Sequence, residues 1–241
     1  MNKNDTIYPM VAQTQKKIIE FLQKVPLFNN LTEEEMLQIS SICQERNFKK
    51  GHIIFYEDDI GTSFYLIAEG QVKIVMLSPE GREHILGVLQ THDFFGEMAL
   101  LENEPRSATA IALSDAQVFI ITREDFVHQL THYPYTALRM LITMSRRLRK
   151  ADRHVESLAF LSAPGRVARS LLELGEEQGK VVDQDIVVQT TMTRQELSNL
   201  AGTSRETLTR VLMAFQDNKL ITLERGKIII HNCKKLQEKS I

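Results

Sequence analysis

Cysteine is nearly absent. Cys43 and Cys233 are the only two in 241 residues, which argues against a disulfide framework and excludes a four-cysteine iron–sulfur or zinc site within one chain. No apolar run approaches the ~20 residues that cross a bilayer, and the polar start at residues 1–6 has no basic segment leading into an apolar stretch. A cytoplasmic protein with no membrane partner is therefore expected. The chain lacks a glycine-rich P-loop and a catalytic constellation of nucleophile and base, so it is not expected to be an enzyme. Its histidines, His52, His84, His92, His128, His132, His154 and His231, show no pair at a metal motif's spacing with cysteine or carboxylate support. No metal, haem or iron–sulfur cluster is expected.

An excess of positive charge is also missing, since the whole chain carries −2. That figure conceals an uneven distribution. From Thr191 onward nine basic residues stand against five acidic ones, a net +4, which leaves −6 on the rest. A basic module joined to an acidic one suits a protein that neutralises phosphates with one end only. With 43% hydrophobic and 25% charged residues, the chain has material for a packed core in one large domain or two ordinary ones.

Residues 13–24 and 32–44 read as helices, the second opened by a Thr32/Glu35 capping box. From Phe48 the period shortens. Apolar, β-rich runs at 53–56, 64–67, 72–76, 84–89, 108–112 and 118–121 are separated by turn residues around Gly51, Gly61, Gly70, Gly81 and Asp115. Turns every 8–12 residues predict a compact antiparallel sandwich or jelly roll and leave no room for crossover helices. After Arg123 the pattern turns helical, and Pro134 opens a long helix to about Leu161. Along it Leu141, Leu148 and Val155 fall seven apart, as do Ala137, Met144, Ala151 and Leu158, which gives interleaved a and d positions and predicts a homodimer seam. Pro164 and Gly165 are expected to break this helix, with a new helix from Val167 to Glu177.

Near the C-terminus, Thr193 with Glu196 and Thr203 with Glu206 both fit the capping-box pattern, and Gly202 lies just before the second. Two helix starts ten residues apart leave only a tight turn between them. In the second helix Leu208, Val211, Leu212 and Phe215 form an apolar stripe, so Glu206 and Arg210 project away from it with Arg205 and Thr209 on its flank. Arginine can bond guanine O6 and N7 together and a carboxylate can accept from the cytosine amino group. Double-stranded DNA is the partner this helix predicts. A closing hairpin around residues 224–227 makes the module winged.

Within the β region, Gly96 and the helix start after it offer backbone N–H groups to an anionic phosphate, and Arg106 adds a bidentate charged partner. Glu97 suits a ribose hydroxyl and Ser107 a phosphate oxygen.

Phe95, Gly96, Glu97, Ala99, Leu100 and Leu101, followed by Pro105, Arg106, Ser107, Ala108 and Thr109, closely resemble the phosphate-binding cassette of cyclic-nucleotide-binding domains. Nearly the whole chain resembles the CRP/FNR family of bacterial transcription regulators. That resemblance implies an α+β fold: an N-terminal antiparallel β-roll (jelly roll) effector domain over residues 13–133, a dimerisation helix over 134–161 and a winged helix-turn-helix over 165–241. It implies a cyclic nucleotide, cAMP first, held by Gly96, Glu97, Arg106 and Ser107. It further implies a homodimer through Leu141, Met144, Leu148, Ala151, Val155 and Leu158, and RNA polymerase as a second partner. Arg205, Glu206 and Arg210 would read TGTGA-like half-sites of a palindrome, with Arg194 on the DNA backbone. One departure concerns the base of the nucleotide. Cyclic-AMP-responsive members place two adjacent hydroxyl residues on the long helix where this chain has Ala151 and Asp152. Asp152 can accept from an adenine amino group, bind guanine N1–H and amino group together, or repel the ligand. Two other readings remain: a family regulator with another effector or none, and a nucleotide-regulated kinase subunit or enzyme.

Overall fold

The computed structural model describes residues 7–239, with side chains from residue 15; the polar start at residues 1–6 lies outside them. No described helix is long and apolar enough to cross a membrane. The chain opens with α1 (Ile7–Leu22) and α2 (Glu33–Ile42). Helix α2 starts as expected: Thr32 Oγ1 accepts from the Glu35 backbone N–H at 3.3 Å, and Glu35 Oε2 accepts from that of Thr32 at 2.7 Å. It stops two residues short of the expected end because Cys43 is extended and the next five residues pair as a strand.

Strands β1 (Gln44–Phe48), β2 (Ile53–Phe55), β3 (Ser63–Glu69), β4 (Val72–Leu77), β5 (Glu83–Leu89), β6 (Phe94–Phe95), β7 (Thr109–Ala112) and β8 (Ala116–Thr122) make two four-stranded sheets, ordered β1-β8-β3-β6 and β2-β7-β4-β5. Between β6 and β7 lies α3 (Glu97–Glu102), and α4 (Arg123–His132) follows β8. Strand β3 shows why the layers form. Its period of two sends Phe64 and Leu66 into a cluster with Leu22, Phe28, Met36, Ile39 and Phe126, while Tyr65 and Ile67 join Val72, Phe95, Ala110 and Val118. Helices cover one face of this strand and the second sheet the other, so it is buried on both sides. Each fully buried side chain of this kind contributes about 1.5–3 kcal/mol.

The described chain divides into two compact units, residues up to Met76 with Val88–Arg146, and Leu77–Gly87 with the residues from Arg147 onward. The division lies inside α5 (Pro134–Phe160). Pro164 and Gly165 do not separate helices. They sit in the first turn of α6 (Ala163–Gln178), where Ser162 Oγ caps the Gly165 N–H at 3.3 Å. A proline is tolerated there because its missing N–H has no intrahelical acceptor.

In the second unit α6 buries Val167, Ala168, Leu171 and Leu174. It packs against β10 (Asp185–Gln189), α8 (Arg205–Asp217) and α9 (Cys233–Glu238). The sheet runs β11-β12-β10-β9, with β9 (Gly179–Val182), β11 (Ile221–Glu224) and β12 (Lys227–Ile230). The β11–β12 hairpin pairs Ile221 with Ile230 and Glu224 with Lys227, as the wing predicted from sequence requires. Helix α7 (Arg194–Leu200) precedes α8 by one short turn.

Candidate functional site

The α7–turn–α8 element is fixed at three places. Thr193 and Glu196 form the expected capping box, with the Thr193 N–H donating to Glu196 Oε2 at 2.8 Å and the Glu196 N–H to Thr193 Oγ1 at 3.2 Å. Gly202 then takes φ +58, and a Cβ there would lie 2.7 Å from Leu158 Cδ2. The left-handed backbone favours glycine there, whereas the Leu158 side-chain tip, on an exposed residue, has room to move aside. The third restraint has no sequence signal: Arg166 on α6 donates to the backbone carbonyls of Ala201 at 3.2 Å, Gly202 at 3.1 Å and Leu161 at 2.9 Å. Its partners are main-chain atoms, which no side-chain pattern marks.

The second cap differs from expectation. Ser204, not Thr203, caps α8, its Oγ accepting from the Thr207 N–H at 3.2 Å. The shift by one residue places Glu206 in the first turn without a reciprocal capping-box bond. Its carboxylate is held below the usual range by its own backbone N–H and by Ser204, so it stays ionised near the positive end of the helix dipole. Leu208, Val211, Leu212 and Phe215 are buried. Arg205, Glu206, Thr209 and Arg210 are exposed on one face, continued by Met213 and Asp217. Among the described residues no ion pair joins Glu206 to Arg210, so both charged groups face solvent unpaired. Arg194, half-buried in the first turn of α7, lies beside Gly226 and Lys227 of the hairpin turn.

In the β-roll, Gly96 (φ +82) lets the chain turn from β6 into α3, and a Cβ there would lie 2.7 Å from Arg106 Nη1. That guanidinium is 4% exposed. Its Nη1 donates to the Gly96 carbonyl at 2.6 Å and Nη2 to the Ser63 carbonyl at 2.7 Å. It also lies 4.2 Å from the Phe55 ring centroid and 5.7 Å from that of Tyr65. Arg106 makes no ion pair among the described residues, and its buried Nε–H has no hydrogen-bond partner there. Burial draws its pKa below the ordinary arginine value, against the attraction of Tyr65, Glu97 and Asp59. Glu97, 3% exposed, begins α3. Ser107 is exposed, its hydroxyl 3.7 Å from Met98 Sδ. The structure thus gathers Gly96, Glu97 and Arg106, which were expected together. Phe95 of the cassette stacks on Tyr65 at 4.9 Å, and Phe55 joins them in an aromatic wall beside Arg106; Phe55 and Tyr65 stood in the sequence only as parts of β-rich runs.

A cyclic nucleotide-binding domain model matches residues 45–133, and a Crp-like helix-turn-helix domain model matches residues 165–239. The Cyclic AMP receptor protein of Thermus thermophilus is 35% identical over 88% of this chain and 95% of its own length. The chain belongs to the CRP/FNR family of bacterial transcription regulators. The relatives and both matched domains are those of regulators, not of enzymes. Among solved structures, FixK2 of Bradyrhizobium japonicum shares the fold at a TM-score of 0.75 and 22% identity, covering 83% of this chain and 98% of that one. The c-di-GMP responsive global regulator CLP of Xanthomonas campestris aligns at a TM-score of 0.69 and 25% identity, covering 80% and 95%.

The dimer seam expected of this CRP/FNR chain is open along α5. Leu141, Leu148 and Val155 are 67%, 64% and 65% exposed, far more than a helix buries when its apolar stripe faces its own core. Ala151, Leu158 and Asp152 are exposed too. Met144 is the exception, half-buried against the cluster around Phe64 and Phe126.

Proposed function

We propose that this CRP/FNR regulator is gated by a cyclic nucleotide, cAMP in the first instance, and binds palindromic TGTGA-like sites as a homodimer in contact with RNA polymerase. Residues 13–133 take the effector, 134–161 dimerise and 165–241 bind DNA. One observation carries the gating: the Arg106 guanidinium is buried on two backbone carbonyls, attracted by Glu97 and Asp59 but in a direct ion pair with no described residue. A buried cation costs several kcal/mol unless an anion neutralises it, and a phosphodiester supplies both the charge and the acceptors for a planar fork. Gly96, Glu97 and Ser107 complete the ribose and phosphate contacts, and Asp152 is the base-facing residue. The ligand must favour the DNA-competent arrangement to act as a gate. Isothermal titration with cAMP and cGMP, beside operator binding with and without each, tests this. A saturable heat with tightened operator binding is expected; no heat from either nucleotide, with operator affinity unchanged, contradicts it.

A second reading keeps the DNA binding and changes the effector. Asp152, in place of a hydroxyl residue, favours it, and the Xanthomonas relative is described as c-di-GMP responsive. Under that reading Arg106 still binds an anion, but cAMP gives no heat.

For DNA, the exposed face of α8 supports base contacts by Arg205, Glu206 and Arg210, and Arg194, beside the hairpin turn, is the proposed backbone contact. Arg210→Ala is expected to cost about 1–3 kcal/mol on the specific site and to relax preference at one half-site position. Arg194→Ala is expected to weaken all sequences alike and to reduce the salt slope by about 1. Electrophoretic titrations on operator and random duplexes at several salt concentrations separate the two. Equal loss on both duplexes for Arg210→Ala contradicts the assignment.

A further inference from the structure

Within the second unit, two histidines seventy positions apart in sequence meet. His84 Nε2 at the start of β5 lies 2.9 Å from His154 Nε2 on α5, and both rings are half-buried. The separation hides the pair from any spacing rule. Which ring donates depends on the tautomers; in either case one ring's Nε2 lone pair faces the other ring.

We propose that His84 and His154 form a two-histidine site for a borderline divalent cation, Zn²⁺, Ni²⁺ or Cu²⁺, that ties β5 to α5 beside the helix-turn-helix. Tetrahedral Zn–N bonds of about 2.0–2.1 Å set two nitrogens about 3.3 Å apart, so the nitrogens part by about 0.4 Å and both rings turn until their lone pairs converge on the cation. Without metal, the Nε2–H of one ring donates to the Nε2 of the other. On binding, that proton moves to Nδ1 of its own ring, both imidazoles stay neutral, and both Nε2 lone pairs point at the cation. Among the described residues no group of three or more ligating side chains exists, so water completes the shell, which the half-exposed rings allow. Imidazole selects these cations over Mg²⁺ and Ca²⁺, which take oxygen ligands. Glu83, next to His84, accepts from the Asn199 side chain at 3.4 Å, which joins this strand end to the first helix of the DNA-binding element.

The test is calorimetric titration of the full chain with ZnCl₂, with ¹⁵N-histidine NMR on the same samples. One Zn²⁺ per chain is expected, moving both Nε2 resonances of His84 and His154. His84→Ala and His154→Ala each weaken binding at least about 10-fold. The exposed pair His128 and His132, stacked at 3.8 Å on α4, is the competing site, and His128→Ala/His132→Ala is expected to leave the titration unchanged. His84→Gln and His154→Gln, checked by circular dichroism, give the same losses with less disturbance of packing. No heat from the unmodified chain, a titration unaffected by either single replacement, or loss confined to one of the two overturns the site.

Discussion

Replacing Arg106 by leucine is expected to remove effector binding almost entirely while leaving a folded chain. Leucine fills most of the space and keeps contact with Phe55, but the carbonyls of Gly96 and Ser63 lose their donors. Burying acceptors without partners costs about 1–3 kcal/mol, which lowers the melting temperature without abolishing the transition. The loss in binding is larger. Truncating one partner of a buried charge pair costs about 2–5 kcal/mol, or about 30-fold to several-thousand-fold in affinity. Arg106→Lys keeps the charge and loses the planar fork, so an intermediate loss is expected. Calorimetry with the nucleotide that binds the unmodified chain, together with thermal melts, distinguishes lost contact from lost fold. A folded leucine variant that binds with full affinity removes Arg106 from the site.

The second large effect concerns α5. Leu141→Glu together with Leu148→Glu is expected to convert a dimer to a monomer without harming the fold, because both side chains are about two-thirds exposed in the single chain. Burial of a leucine contributes about 1.5–3 kcal/mol. Four of them, each about two-thirds exposed before association, therefore contribute about 4–8 kcal/mol across a symmetric seam, and the glutamates add like-charge repulsion at facing positions. Sedimentation analysis is expected to show the monomer at concentrations where the unmodified chain is dimeric. Operator affinity falls by several orders of magnitude because each module then holds one half-site alone. Dimers that persist in the double variant place the seam elsewhere.

Much of this architecture was legible because it depends on short-range chemistry. The Thr32 and Thr193 caps, the full length of α5 and the hairpin between Ile221 and Ile230 each follow from residues within a few positions of one another. The alternation that buries both faces of β3 is of the same kind. What escaped the sequence depends on distant or main-chain partners. Strand β1 is a polar, largely exposed edge, without the apolar alternation that announces a strand. Strand β6 has two residues, too few to show a period. Ser204 and Thr203 are chemically equivalent caps, and only the path of the chain after Gly202 decides between them. The triple bond of Arg166 to carbonyls and the meeting of His84 with His154 join elements whose adjacency no local pattern encodes. At the cassette, Gly96, Glu97 and Arg106 were visible as a motif, but the burial of Arg106 on two backbone carbonyls is a property of the packed domain.

Arg106 also bears on how long the molecule lasts. Its guanidinium belongs to the interior of the β-roll and is in a direct ion pair with no described residue, so an anion bound to it would count as a piece of the core that arrives from outside. Occupancy then stabilises the folded state by mass action, by about 2.7 kcal/mol at a hundredfold excess over the dissociation constant. A difference of that size alters how often a protein is open to proteolysis and hence its steady-state abundance. The effector would then set how much regulator survives as well as how much of it is active.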